Sequence, residues 1–304
     1  MHHPASSRGD AMPASIYRSP EGRAEVLRLY DEALTHLGVE HENLTVETRF
    51  GGTHVLAVGS ADAPPLLILP GGNFLNPTCL GWFLPLAREH RLYSPDIIAQ
   101  PGRSAEERPS SGGDGHAWWV EDLMDGLGLE TVPCVGVSYG AGVALRTMGY
   151  APERVSRAAL VVPAGVAAGS MRRMLVEVMV PMLLYRLRPT RERGLRAAAP
   201  LLSEPDERFA RQLGAMYRHV RLDAHLPRKA TAEELDRFDG PVAVFAAEHD
   251  PFFPCEPVLA RARKIIRNLE HAVCLTGCRH VPSGEALRRV NERIRTFLRG
   301  SGGA

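Results

Sequence analysis

The chain has 304 residues, 44% of them hydrophobic and 23% charged, with a formal net charge of +1; that leaves no bulk electrostatic bias toward nucleic acid or an anionic surface. The opening residues lack the apolar run of a cleaved leader, and the most apolar later stretch, Met174 to Tyr185, contains Glu177 and Pro181 and falls short of the roughly 20 residues a membrane span needs, so neither export by that route nor a span is expected. Five cysteines are few and odd in number, so reduced thiols and a cytoplasmic setting are expected in place of a disulfide framework.

Residues 1–20, rich in Pro, Ser, Ala and Gly, are expected to be disordered. From Glu21 to Gly38 the spacing of Val26, Leu27, Tyr30, Leu34 and Leu37 predicts a packing helix with a glycine stop. "LTVETRF" and "THVLAVG", joined at Gly51-Gly52, read as an antiparallel pair. After Pro65 strands and helices alternate. "LLILP", "RLYSPDI", "VPCVGV" and "AALVVPAG" read as buried strands, while "CLGWFLPLARE", "HAWWVEDLMDGLGL" and "AGVALRTMGY" read as helices between them. Such alternation predicts an α/β fold, a mostly parallel sheet covered by helices on both faces.

Between Ser170 and Phe238 the alternation stops, leaving helical patterns broken at Pro181, Pro189, Pro200 and Pro227. "PVAVFAAEHD" and "HAVCLTG" then restore two strands, for about eight in all, and "EALRRVNERIRTFLRG" supplies a last amphipathic helix. A helical insertion, 170–238, inside one core, 21–169 with 239–298, explains this better than two domains, because the strands on either side complete one sheet. Residues 299–304 read as a flexible tail.

Gly136-Val137-Ser138-Tyr139-Gly140 joins a buried strand to a helix, the setting in which a serine occupies a sharp turn and small neighbours leave room for its backbone. A serine hydroxyl is a weak nucleophile and needs a base and a group that orients the base. Asp250 ends the strand in "VAVFAAEHD", with Glu248 and His249 as neighbouring rivals. Among twelve histidines, His280 is favoured because its loop also follows a strand on the same edge, whereas His271 lies within the final strand pattern. An oxyanion formed on a carbonyl needs two amide donors. The amide of Tyr139 is one candidate, and that of Gly72 or Asn73 in "LPGGNF" is the other. Cys274, Cys278 and His280 cluster in sequence, but two further convergent ligands are missing, so no metal is expected.

"LPGGN", "YSPDIIAQPGRSA", "GVSYGAG", "AAEHDPFFP" and "GCRHVPSGE", in that order, make residues from about Leu44 to Leu298 resemble an α/β-hydrolase of the lidded esterase, lipase and C–C hydrolase kind. The resemblance implies Ser138 as nucleophile, Asp250 as orienting acid, His280 as base, no cofactor, and a lid over residues 170–238. Two positions depart from the pattern: Pro70-Gly71 stands where His-Gly is common in the oxyanion loop, and Cys278 stands where glycine is common.

Asp96, Arg103, Trp118 and Trp119 read as structural. Ester or thioester hydrolysis on a small-molecule substrate with an apolar part is the leading expectation. C–C hydrolysis, lyase or acyltransferase chemistry on the same triad, and a non-catalytic ligand-binding protein, are the alternatives. Serine at the elbow, in place of aspartate, argues against chemistry through an alkyl-enzyme ester. Arg172, Arg173, Arg186 and Arg188 read as a solvated helix face. The oligomeric state does not follow from the sequence.

Overall fold

The computed structural model describes residues 15–109, 113–223 and 227–300. The chain enters through α1 (Pro20–Leu37), with Ser19 as its cap accepting from the Gly22 amide and Gly38 closing it in the left-handed region. Ile16 and Tyr17 ahead of it are buried, and Tyr17 bridges Val220, so the expected disorder over 1–20 does not extend to Ser15–Pro20; residues 1–14 lie outside the described residues. Apolar packing of Ile16 and Tyr17 fixes a segment whose composition alone suggests coil.

Eight strands form one sheet: β1 (Glu42–Thr48), β2 (Gly51–Val58), β3 (Pro65–Leu69), β4 (Arg91–Pro95), β5 (Val132–Val137), β6 (Val155–Val161), β7 (Val242–Ala247) and β8 (Leu269–Leu275). Their order is β1-β2-β4-β3-β5-β6-β7-β8, with β2 antiparallel to both β1 and β4 and every later pairing parallel. The β1–β2 turn is Arg49-Phe50, because Thr48 pairs with Gly51; the two glycines belong to β2, where a Cβ on Gly51 would lie 2.9 Å from the Ala105 Cβ.

Alternate residues of the buried strands feed two apolar layers. Leu67, Leu69, Cys134, Leu160 and Val244 pack on one face, against α3 (Gly115–Gly126), α4 (Tyr139–Tyr150) and α10 (Cys255–Ile265). Leu66, Ile68, Val135, Val161 and Phe245 pack on the other, against α1, α2 (Asn76–Gly81) and α11 (Gly284–Arg299). The helical pattern after Cys79 is broken: α2 stops at Gly81 and a 3-10 turn, Leu84–Arg88, follows with Pro85 at its start. The sequence reading omits α10, although Val258, Leu259, Ala262 and Ile265 carry its spacing.

The insertion contains α5 (Met171–Met174), a π-helical turn (Leu175–Met179), α6 (Val180–Leu187), α7 (Arg191–Ala198), α8 (Glu207–His219) and α9 (Ala232–Leu235). Its own cluster of Val178, Ala198, Leu201, Phe209, Leu213 and Tyr217 rests on Phe74, Trp82, Phe252 and Val281 of the core. The expected boundary at 238 is too late. Ala230, Leu235 and Phe238 are buried in the core layer of α4, and Glu234 pairs with Arg146 of that helix, so 227–238 is a strap on the core. Residues 224–226 lie outside the described residues, and at the other end α11 runs to Arg299, into the expected tail.

The expectation of reduced thiols fails at one pair. Cys255, opening α10, and Cys274, in β8, are joined in a disulfide with their Cα atoms 5.6 Å apart. α10 packs along β8 and brings together two residues 19 apart in sequence, a proximity that cysteine counting does not reveal. Cys79, Cys134 and Cys278 are free and buried. Among the described residues no helix is long and apolar enough to cross a membrane, and no group of three His, Cys, Asp or Glu could hold a metal ion.

Candidate active site

Ser138, between β5 and α4, has φ 49° and ψ −112°, a region that side-chain-bearing residues avoid. The fold holds it there from both sides. Its amide donates to Val161 O at 2.9 Å, and its carbonyl accepts from Ala141, Gly142 and Ala164. The flanking glycines are steric requirements: a Cβ on Gly140 would lie 2.2 Å from Leu69 O, and one on Gly136 would lie 2.6 Å from Ala141 Cα. The turn therefore fits only because β3 and the first turn of α4 meet no side chain at these two positions.

β5, β7 and β8 run parallel, so the segments that follow them, holding Ser138, Asp250 and His280, leave the sheet at one edge. Asp250 is fully buried; its Oδ2 lies 2.8 Å from His280 Nδ1, and its Oδ1 accepts from the Phe252 amide at 2.7 Å. Both carboxylate oxygens are thus satisfied, and with Nδ1 facing Asp250, Nε2 is left for proton exchange. Phe252 meets the imidazole edge to face at 5.1 Å between centroids. The rivals separate cleanly. Glu248 Oε2 accepts from the Gly277 amide, His249 is exposed, and His271 is exposed against Phe297.

The loop after β3 lies against the elbow. A Cβ on Gly71 would approach Ser138 Cβ at 3.8 Å, and one on Gly72 would meet Tyr139 Cβ and Cγ at 2.9 Å. The Asn73 amide donates to Gln100 Oε1 at 2.7 Å, so of the two candidate amides in this loop it is the one already engaged. Asn73, at φ 54°, is also clamped through its side chain: Nδ2 donates to Asp223 O at 3.0 Å and Oδ1 accepts from the Asp223 amide at 2.8 Å.

Sequence reasoning missed this supporting shell. Gln100 is buried in the loop after β4, next to Ala99 at φ 56°, and its Nε2 has no partner among the described residues. A polar side chain flanked by Ala99 and Pro101 inside an apolar stretch is the signal that marks it. Beside it, Tyr139 Oη lies 3.2 Å from His116 Nε2, and Arg108 pairs with Asp223 at 2.8 Å. Burial, only partly opposed by the charge of Asp223, lowers the His116 pKa to about 4, so this imidazole is neutral near pH 7. Burial likewise raises the Tyr139 pKa, keeping its hydroxyl protonated.

The residues read as structural are so. Asp96 is buried and accepts from Tyr30 Oη at 2.8 Å, Asn76 Nδ2 at 2.9 Å and the Arg103 amide at 2.7 Å. Arg103 pairs with Asp31 and covers the Tyr30 ring. Trp119 is core and donates to Thr53 Oγ1, while Trp118 meets Tyr150 edge to face. Cys278 is a buried free thiol. A groove of about 710 Å³ between α1, α2 and the 202–209 segment includes neither Ser138 nor His280 in its lining.

Residues 64–222 match the model of the alpha/beta hydrolase fold family. The chain is similar to carboxylesterase YbfK of Bacillus subtilis, at 27% identity over 93% of this chain and 97% of that protein. It is also similar to an uncharacterized carboxylesterase, nap, of the same organism, at 29% identity over 94% of this chain and 96% of that protein. Among solved structures, naproxen esterase from Bacillus subtilis superposes with a TM-score of 0.79 at 26% identity, covering 92% of this chain and 99% of that one.

Proposed function

The chain belongs to the α/β hydrolase fold family and is a carboxylesterase-like hydrolase, and on that premise we propose that it cleaves carboxylic esters or thioesters through an acyl-enzyme on Ser138, with His280 as base and Asp250 as its orienting acid. The observation that carries this reading is the 2.8 Å contact between His280 Nδ1 and the fully buried Asp250, at the sheet edge where Ser138 is held in a strained turn.

Ser138 Oγ attacks the carbonyl carbon while its proton passes to His280 Nε2, and the oxyanion accepts from the Tyr139 and Gly72 amides. Collapse breaks the bond to the alkoxide or thiolate, which takes the proton from Nε2. Water then gives its proton to Nε2, attacks the acyl carbon and releases the acid with Ser138 restored. Asp250 stabilises the imidazolium and fixes the tautomer throughout. No step calls on a cofactor. Helices α5 to α8 form the lid of the substrate pocket, and their Met and Leu content suits a substrate with an apolar part.

A panel of p-nitrophenyl esters of increasing acyl length tests the reading. Wild type should turn over at least one acyl length, and Ser138→Ala should lower kcat/KM by about 10⁴-fold or more. Failure on every ester with rapid cleavage of a vinylogous diketone would shift the reading to C–C hydrolysis.

A further inference from the structure

Among the described residues, every large apolar side chain left exposed, apart from Val39 and Tyr150, lies between Met171 and Leu187. The row Met171, Leu175, Met179, Leu183 and Leu187 recurs at every fourth residue, with Leu187 at 73% exposure, and a second row runs beside it. Val178, Met182 and Tyr185 turn inward to the cluster of the insertion. The helix is therefore apolar on the side that packs and apolar on the side that faces water, unlike an ordinary surface helix, which is polar outside.

The charges on this face are of one sign. Arg172, Arg186 and Arg188 are exposed and have no carboxylate partner among the described residues, whereas Glu177 is already held by Arg173 at 2.8 Å. Near Arg186 stand Arg18 and Arg221, which donate to the backbone carbonyls of Val220 and Tyr17. Partial burial and then the charges of Arg186 and Arg221 lower the Arg18 pKa, as expected where guanidinium groups gather without counter-charge.

We propose that this face docks on a lipid bilayer carrying anionic headgroups, with the 171–187 helix lying in the plane of the interface. The apolar rows enter the acyl boundary, and the arginines reach back to the headgroups along their aliphatic stems. A second copy of the chain suits the face less well: two-fold pairing sets Arg172 and Arg186 of both copies together with no free carboxylate on the helix to meet them. Arg173 Nη2 donates to His249 O at 2.9 Å, one residue from Asp250, so the docked helix adjoins the edge that holds the candidate site. Access of bilayer-dissolved esters to that site rests on the proposed function; the docking itself does not.

Flotation of the full chain with vesicles tests the docking, using phosphatidylcholine alone and phosphatidylcholine mixed with phosphatidylglycerol. Wild type should float with the mixed vesicles and far less with the neutral ones. Arg172→Gln with Arg186→Gln should lower partitioning by about fivefold for each arginine removed. Leu183→Glu with Leu187→Glu should abolish it, while thermal melts confirm that each variant is folded. Ser138→Ala should float as wild type does, which separates docking from catalysis. Absence of folded wild type from the mixed vesicles would overturn the proposal, as would equal flotation of the Leu183→Glu, Leu187→Glu variant. A concentration-dependent dimer that this variant dissolves, seen by sedimentation velocity, would assign the face to a second copy instead.

Discussion

The elbow around Ser138 and the helix 171–187 solve opposite problems. At the elbow the backbone is strained, and its neighbours approach so closely that two positions accept no side chain at all. Along the helix the backbone is relaxed apart from one π-helical turn, and large side chains project into solvent with few neighbours. Rigidity is concentrated at the turn proposed to hold the nucleophile, and exposed apolar surface is concentrated on the face proposed to dock.

The contrast breaks most severely at Gly140. Gly140→Ala places a methyl against Leu69 O and Pro70 O, backbone atoms that cannot yield cheaply, and should cost about 3 kcal/mol in chemical denaturation along with most esterase activity. If Gly140→Ala is as stable and as active as wild type, the close approach of β3 to the elbow is not a constraint.

Gln100→Met comes next. It removes the acceptor for the Asn73 amide and loosens the loop that presents Gly72, so kcat should fall by about tenfold with little change in KM, while Gln100→Glu, which keeps an acceptor, recovers part of the loss. A change confined to melting temperature would make Gln100 merely structural.

The 227–238 strap lies between the two extremes. Hydrogen bonding from Arg146 lowers the Glu234 pKa to about 2, below its usual carboxylate value. A carboxylate with a depressed folded-state pKa stabilises the fold above its ordinary pKa near 4.5, and this contribution is lost as pH falls from there toward 2. Glu234→Gln should therefore destabilise by about 1 kcal/mol near pH 7, and the gap from wild type should close as melts are repeated through that acidic window. At the far end of the scale, Leu183→Ala should shift stability by less than about 0.5 kcal/mol, since its side chain is 54% exposed.

The sheet was legible because buried parallel strands are continuous apolar runs, and the elbow because a serine between glycines at a strand-to-helix join has a steric meaning. That Asp250 and His280 leave the sheet at the edge of Ser138 was legible because a parallel sheet sends the ends of β7 and β8 to the same edge as the end of β5. What escaped depends on pairs distant in sequence. Asn73 clamps Asp223, Gln100 caps Asn73, and Cys255 meets Cys274 only once α10 lies along β8. The four arginines at 172, 173, 186 and 188 read as a solvated helix face, but that their apolar neighbours also face solvent emerges only from the structure. The segment 227–238 looked like insertion because its sequence lacks a strand, yet Ala230, Leu235 and Phe238 bury it in the core.

Whether the strained elbow and the Asp250–His280 pair serve an activated serine, as proposed, is decided by labelling with a fluorophosphonate and mapping the modified peptide. One adduct is expected on Ser138, absent in Ser138→Ala and formed far more slowly in His280→Ala. An unlabelled but folded wild type, or an adduct at another residue that survives Ser138→Ala, would contradict it.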